Sequence, residues 1–238
     1  MTVDAVPLDR RARRRQETIE EVLDIAVEIM TEQGVAGLSI GEVARRMGIR
    51  PPSLYVYFPS KEAIYDALFA RGAREIGQLT ATESEKLLDN AKPGQPLAEI
   101  MLDAARTFVR WTMEHPAYTQ LLYWRPVPGF EPSPEAFAPA VAMVEISRHR
   151  FTELQRRGFI RADASVDDVQ RDWVVILTGV VTRQIANAPQ EKFDEGRFSS
   201  ALSDLVTMFA RHYEPSSPAT TAASTATSTR GSRNERKR

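Results

Sequence analysis

Cationic and hydroxyl side chains cluster between residues 43 and 61, a stretch with four basic residues and no Asp or Glu. Guanidinium and ammonium groups bind phosphate oxygens, and Ser and Tyr hydroxyls donate to the same oxygens. A guanidinium can also fork onto a guanine edge in the major groove. This stretch therefore has the chemistry to recognise duplex DNA, although each residue taken singly could equally be part of a solvated face or a core filler.

Two short helices joined by a tight turn are predicted to position these side chains. Ser39 and Glu42 have the spacing of a capping box, which predicts a helix start between them. Gly48 can adopt the left-handed conformation that ends this helix. Residues 51–52 are both proline, which suits the first turn of a second helix carrying residues 53–57. This order of elements is typical of a helix-turn-helix, whose second helix enters the major groove.

The second helix should have a buried face and a face toward DNA. Leu54 and Phe58 are predicted to pack inward, leaving Arg50, Pro51, Ser53 and Tyr57 toward DNA. Arg50 could read a guanine or hold a phosphate, and the sequence does not distinguish these roles. Lys61 follows Ser60, a predicted helix cap, at a helix N-terminus that favours phosphate. We therefore expect Lys61 to clamp the DNA backbone.

Residues 14–68 resemble the signature of TetR-family transcriptional regulators. The resemblance rests on an amphipathic helix over 16–33, Gly34, the capping box, Gly48-Ile49, Ser53-Leu54-Tyr55, Tyr57-Phe58 and Ser60-Lys61-Glu62. It implies an all-α protein of about nine helices, with a three-helix helix-turn-helix domain, a C-terminal helical bundle and a homodimer through the last two long helices. The DNA contacts that it implies are Ser39, Arg50, Pro51, Pro52, Ser53, Tyr55, Tyr57 and Lys61. Pro51 departs from the polar or small residues usual at its position, so the operator sequence cannot be inferred by analogy.

Four segments are predicted along the chain. Residues 1–13 form a basic disordered arm, 14–74 the DNA-binding domain, 75–213 the effector-binding and dimerisation domain, and 214–238 a disordered tail with a basic tip. The arginines at positions 10, 11, 13, 14 and 15 could reach phosphates or the minor groove, or could simply solubilise the terminus.

Helices are predicted throughout residues 75–213. A connector helix from Ser60 should end before Lys92, further helices should cover 97–115, 117–124 and 134–157, with a break at Pro139, and the last two should begin near 165 and 197. The helix after residue 165 is apolar on two faces and the last helix carries excess apolar surface, which favours a partner over burial in the monomer core alone. The resemblance implies that this partner is a second copy of the chain.

Aromatic and methionine side chains in these helices suit a cavity for an apolar or aromatic ligand, although such residues often only fill a core. The predicted ligand-binding residues are Phe108, Trp111, Thr112, Tyr118, Leu122, Trp124, Phe137, Met143, Trp173 and Leu177. The resemblance then implies a repressor that a small molecule releases from a palindromic DNA operator. An activator, or an architectural DNA-binding protein without an effector, is the alternative.

Composition argues against other classes of protein. The chain has no cysteine, its three histidines are far apart, and no Ser/His/Asp arrangement or phosphate-binding glycine loop occurs, so we expect no enzyme, metal site or cofactor. No apolar run is long enough to span a bilayer, so we expect no membrane partner and a cytoplasmic bacterial protein, on the nucleoid when bound to DNA. The formal net charge is only -1, so the basic patch must act locally.

Overall fold

The computed structural model of the protein describes residues 10–215, and this part of the chain consists of α-helices, short 3-10 turns and loops, without a strand. Its nine α-helices are α1 (Arg10–Gln33), α2 (Ile40–Arg46), α3 (Pro51–Leu54), α4 (Lys61–Asn90), α5 (Leu97–Glu114), α6 (Pro116–Tyr123), α7 (Pro134–Arg156), α8 (Val166–Asn187) and α9 (Leu202–Tyr213). The all-α prediction is confirmed. Among these helices, none is both long and apolar enough to cross a membrane.

Helix α1 opens the N-terminal domain and provides one wall of its core. Val22, Ala26 and Ile29 lie on its buried face and are fully inaccessible to solvent. The helix begins at Arg10, so residues 10–13 are helical rather than part of the predicted arm. Arginine is a good helix former and neither Gly nor Pro interrupts residues 10–33, which explains the extension. The rest of the predicted arm lies outside the described residues.

Helix α4 belongs to both domains. Its first turns bury Ile64, Tyr65 and Leu68 in the N-terminal core, and Leu87 near its other end packs in the C-terminal core. At about 1.5 Å per residue, its 30 residues span about 45 Å. The predicted domain boundary at residue 74 therefore falls inside one continuous helix.

The C-terminal core is closed by aromatic side chains from α7, α8 and α9. The ring centroids of Trp173 and Phe209 are 5.1 Å apart, and those of Phe151 and Trp173 are 6.2 Å apart. The hydroxyl of Tyr213 donates to Asp172 Oδ2 at 2.6 Å, which fixes the end of α9 on α8. These contacts place three helices around one apolar interior.

Three predicted boundaries differ from the structure. Helix α7 continues through Pro139 without the expected break, and α7 lies against α4 along this stretch, where close helix packing offsets the hydrogen bond lost at proline. The last α-helix begins at Leu202 after a 3-10 turn at Ser199–Ala201, not at 197. Glu214 falls within the predicted tail, but in the structure its Oε1 accepts from the Leu97 amide at 2.6 Å. The remaining tail, from 216 on, is outside the described residues.

Candidate DNA-binding surface and ligand cavity

Helix α2 ends as predicted, but its start lacks the predicted cap. Gly48 has φ of 69°, the left-handed conformation that ends α2. The Ser39 side chain makes no capping hydrogen bond, and Glu42 turns instead to Arg45 at 2.7 Å and Arg46 at 3.0 Å. The predicted capping box is therefore wrong. Charge-assisted bonds to guanidinium groups are stronger than a bond to a neutral amide, which explains the choice.

Helix α3 is a single turn, held on the domain by two buried side chains. Leu54 is fully buried and Phe58 is 6% exposed, so the predicted inward face is confirmed. Arg50 precedes the helix in extended conformation. Of the eight predicted DNA contacts, six are exposed and two are partly buried: the exposed ones are Ser39, Arg50, Pro51, Pro52, Ser53 and Tyr55, and the partly buried ones are Tyr57 and Lys61.

The start of α4 is a capped helix N-terminus beside α3. Ser60 Oγ accepts from the Ala63 amide at 3.2 Å, as predicted for the cap. The Lys61 ammonium lies 5.7 Å from the ring centroid of Tyr65, whose hydroxyl donates to the Val35 carbonyl at 2.7 Å. A cation at the positive end of a long helix, held by a buried ring, suits an anion such as phosphate.

Arg46 is a structural arginine rather than a free cation. It pairs with Glu42 on its own helix and with Glu28 and Glu32 on α1, and its side chain is 19% exposed. Hydrogen bonds from Arg45 and then Arg46 lower the pKa of Glu42 to about 2. These ion pairs fasten α2 to α1, so of the arginines in residues 43–61, Arg50 is the one presented at the start of α3.

Two residues outside the eight predicted DNA contacts also lie at this surface. The Arg15 guanidinium of α1 is 5.4 Å from the Tyr57 ring centroid and donates to the Val56 carbonyl at 3.5 Å. The Val56 side chain is 72% exposed. The basic cluster before residue 16 indicated a role near DNA but not this contact, and Val56 carried only the weak signal of an apolar residue between two tyrosines.

A cavity of about 80 Å³ lies between α4, α5, α7 and α8 in the C-terminal domain. Four of the ten predicted ligand-binding residues line it, namely Phe108, Met143, Trp173 and Leu177. Tyr123, at the end of α6, and Arg150 of α7 line it as well and are not among the ten predicted ligand-binding residues. The cavity wall is thus mainly apolar, with a few polar groups.

The other six predicted ligand residues do not line this cavity. Trp111, Tyr118 and Leu122 pack against the N-terminal core. Trp124 Nε1 donates to Thr182 Oγ1 at 3.2 Å, and Phe137 stacks on Phe69 with a centroid separation of 5.8 Å. Thr112 is buried, and its hydroxyl donates to the carbonyls of its own helix. Helix α6 folds toward α4 and the N-terminal core, which a linear sequence pattern does not indicate.

Contacts from α6 and α7 reach the part of α4 that belongs to the DNA-binding domain. The Tyr118 ring packs on Gly72, where an added Cβ would meet its Cδ1 at 2.7 Å. The Asp66 carboxylate accepts from the amide and the hydroxyl of Ser133, both at 2.7 Å. The C-terminal domain is therefore joined to the N-terminal domain by packing and hydrogen bonds as well as by α4 itself.

These features define a helix-turn-helix protein with a separate helical C-terminal domain. Residues 22–68 match the family model described as bacterial regulatory proteins, tetR family. The chain is 31% identical over 102 residues to the uncharacterised regulator YobS of Bacillus subtilis, covering 42% of this chain and 49% of that protein. It is 30% identical over 83 residues to the regulator AcrR of Shigella flexneri, covering 35% and 36%. The matches thus span about half or less of these relatives.

Solved structures share the fold over most of the chain. The TetR-family regulator PfmR from Thermus thermophilus has a TM-score of 0.60 at 19% identity, covering 80% of this chain and 97% of that one. The regulator FadR from Bacillus subtilis, solved in complex with stearoyl-CoA, has a TM-score of 0.63 at 16% identity, with the same coverage. Residues 22–68 are thus similar to the tetR family of bacterial regulatory proteins, and the chain as a whole shares its fold with these solved structures.

Proposed function

We propose that this protein is a sequence-specific DNA-binding transcriptional regulator, a repressor that a small apolar or aromatic ligand releases from a palindromic operator. One observation carries the DNA-binding part. The side chains around α3 are exposed while Leu54 and Phe58 hold that turn rigidly on a buried core. A short rigid helix with an exposed polar N-terminal end has the form required to enter a major groove.

The proposed DNA contacts are of three kinds: hydrogen bonds to bases, van der Waals contacts to bases, and contacts to phosphates. Pro51 and Pro52 have no donor, so hydrogen bonds to base edges fall to Arg50, Ser53 and Tyr55, while the prolines and Val56 offer van der Waals contact, for example to a thymine methyl. Lys61 and the N-terminus of α4 bind the phosphate backbone and set the register of the complex. Arg50 can either read a base or hold a phosphate, and its alanine variant distinguishes these two roles.

A homodimer is part of the proposal. Val174 and Val175 of α8 are 45% and 62% exposed, and Met208 of α9 is 65% exposed, whereas Trp173 and Leu177 fill the monomer core. One face of α8 is thus used inside the monomer and another offers apolar surface to a second copy. Two-fold pairing through α8 and α9 would present recognition helices about 34–36 Å apart to successive major grooves, which calls for an inverted repeat.

Helix α4 is proposed to couple ligand binding to DNA binding. Leu79 and Glu83 of α4 line the cavity and Lys61 begins the same helix. Leu79 follows Lys61 by 18 positions, about 27 Å along the helix, so a tilt of a few degrees at the cavity moves the DNA end by about one or two ångströms. A ligand that binds one tilt more tightly shifts the population toward it, and a hundredfold loss of DNA affinity needs about 3 kcal/mol of differential binding.

The test is fluorescence anisotropy on a labelled duplex selected by the protein, with three arginine or lysine variants. We expect Arg50→Ala to weaken binding about tenfold or more, and to relax sequence preference at one base pair if Arg50 reads a base. Lys61→Ala should weaken binding to all sequences and reduce the salt slope by about one. Arg74→Ala, an equal charge loss at an exposed site further along α4, is the matched control and should change little.

Two results would contradict the proposal. Equal affinity of the parent protein for selected and scrambled duplexes at moderate salt would remove sequence specificity. Equal losses in all three variants would show that only overall charge matters, as in an architectural protein without base readout.

A further inference from the structure

The guanidinium of Arg150 is buried in the C-terminal domain and forms no ion pair with a carboxylate of residues 10–215. The residue is 3% exposed. Its Nη1 donates to Ser84 Oγ at 3.2 Å and its Nη2 to Ser147 Oγ at 3.0 Å, both neutral partners. Its Nε is buried and has no hydrogen-bond partner within the described part of the chain. Buried charges in proteins are normally paired, so this arginine needs an explanation.

Its surroundings compensate the charge only in part. The guanidinium carbon lies 4.7 Å from the Phe151 ring centroid and 5.9 Å from that of Trp173. Ring faces attract a cation but accept no strong hydrogen bond, so the Nε proton stays unused. Burial lowers the pKa of Arg150 to about 10, which leaves the side chain protonated at neutral pH. A positive charge therefore persists in the interior.

Arg150 lines the cavity between α4, α5, α7 and α8, and a second unused donor lines it too. The hydroxyl of Tyr123 is buried and has no partner among residues 10–215. One acidic residue, Glu83, is also in the wall, but its Oε1 is paired with Lys86 Nζ at 2.8 Å. A mainly apolar cavity with a cation and a free hydroxyl complements a ligand that is apolar with one anionic group.

We propose that the effector is a small amphiphile whose single carboxylate is bound by Arg150, with Tyr123 as a second donor and its apolar part against Phe108, Met143 and Leu177. One guanidinium balances one negative charge and fits a carboxylate in a forked geometry, whereas a phosphate monoester dianion would leave excess charge buried. The effector role rests on the function proposed above, but carboxylate binding does not.

The size of the cavity limits the ligand. A cavity needs at least about 10–15 Å³ to hold one water, so about 80 Å³ has room for several waters, or for a ligand on the order of ten non-hydrogen atoms. Octanoate and phenylacetate meet this size. Their amides, octanamide and phenylacetamide, have the same shape without the charge and are matched neutral probes.

The experiment is titration calorimetry of these four probes at pH 7, supported by tryptophan fluorescence because Trp173 lines the site. In the parent protein we expect at least one acid to bind tenfold or more tightly than its amide. Arg150→Met should abolish this preference, because it removes the charge that distinguishes the acid from its amide. Arg148→Met removes an exposed arginine from the same helix and should preserve the preference.

The outcomes separate the proposal from a purely structural role for Arg150, in which it only ties α4 to α7 through Ser84 and Ser147. Equal binding of acid and amide by the parent protein, no binding of either acid, or an acid preference that survives Arg150→Met would overturn it. If Arg150→Met does not fold by circular dichroism, Arg150→Lys and Tyr123→Phe serve instead, and each should reduce the acid preference at least threefold. No reduction in a folded variant would also overturn it.

The same samples distinguish this proposal from the one on which its regulatory meaning rests. Acid binding through Arg150 in a protein that shows no sequence-specific DNA binding would support the site and contradict the regulator function. Specific DNA binding without any preference for acid over amide would support the regulator function and contradict the carboxylate site.

Discussion

The contact between Gly72 of α4 and Tyr118 of α6 predicts opposite effects for two similar substitutions. An alanine Cβ at position 72 would lie 2.7 Å from Tyr118 Cδ1, 3.1 Å from Cγ and 3.3 Å from Cβ. Carbon atoms in good contact are about 3.5–4.0 Å apart. These atoms are at the root of a ring that is only 4% exposed, so they can give way only if α6 moves.

The expected free energies follow from two opposing effects. Replacing a mid-helix glycine by alanine stabilises a helix by about 1 kcal/mol, and overpacking a core costs about 1–3 kcal/mol. We therefore expect Gly72→Ala to lower the free energy of unfolding by up to about 2 kcal/mol. At Gly77, five residues later, a Cβ would meet Pro139 O at 3.8 Å and Met143 Cβ at 3.9 Å, which are ordinary contacts. Gly77→Ala should therefore raise the free energy of unfolding by about 1 kcal/mol.

Urea unfolding followed by circular dichroism measures both variants. Protein concentration must be the same in every sample, because a dimer makes apparent stability depend on concentration. If Gly72→Ala stabilised the protein as much as Gly77→Ala, the close approach of α6 to α4 would be refuted.

Three further predictions concern capping, acid stability and assembly. Ser60→Ala should lower the free energy of unfolding by about 1 kcal/mol in urea, because it removes the cap of α4, whereas Ser39→Ala, with no cap bond to lose, should be near neutral. The pKa of Glu42 is lowered from 4.5 to about 2, so the stabilisation from its pairs with Arg45 and Arg46 is present above pH 4.5 and lost as the pH falls toward 2. The melting temperature of Arg46→Met should therefore depend less on pH in this window than that of the parent protein. An unchanged pH dependence would contradict the pairing. If α8 pairs two copies as proposed, the parent protein should be a dimer and Val175→Asp a monomer with native far-UV circular dichroism in sedimentation equilibrium; a Val175→Asp variant that still dimerises would show that α8 is not the interface.

The sequence predicts helix ends well where one residue type decides them. Gly48 ends α2, Pro116 follows the end of α5, and Ser133 and Ser165 cap α7 and α8 by accepting from backbone amides. These outcomes depend on local backbone chemistry, so a few neighbouring residues are sufficient. Pro139 is the exception, since contacts with another helix override its local preference.

The ligand cavity could be predicted only in part. Aromatic and methionine residues identified Phe108, Met143, Trp173 and Leu177, but the same signal selected Tyr118 and others that pack on the N-terminal core. Which core an aromatic joins depends on the fold of α6, which is tertiary. The sequence does not predict Arg150 as a cavity residue, because an arginine in a helix is normally exposed. Its three-residue spacing from Ser147 is the one local sign of a buried partner.

The capping box predicted at Ser39 does not form, which shows that the spacing of a motif alone does not determine its hydrogen bonds. The residue types were right, but two arginines that follow Glu42 compete for its carboxylate. A prediction for Glu42 needed the ion pairs between α1 and α2, which form only in the folded domain.

The most direct test of the central claim is selection of bound sequences from random duplex DNA by the purified protein at moderate salt. We expect enrichment of an inverted repeat whose half-sites are centred about one helical turn, or a multiple of it, apart. Arg50→Ala in the same selection should weaken or broaden the motif. No enrichment, with binding that disappears when salt is added, would contradict a sequence-specific dimeric regulator.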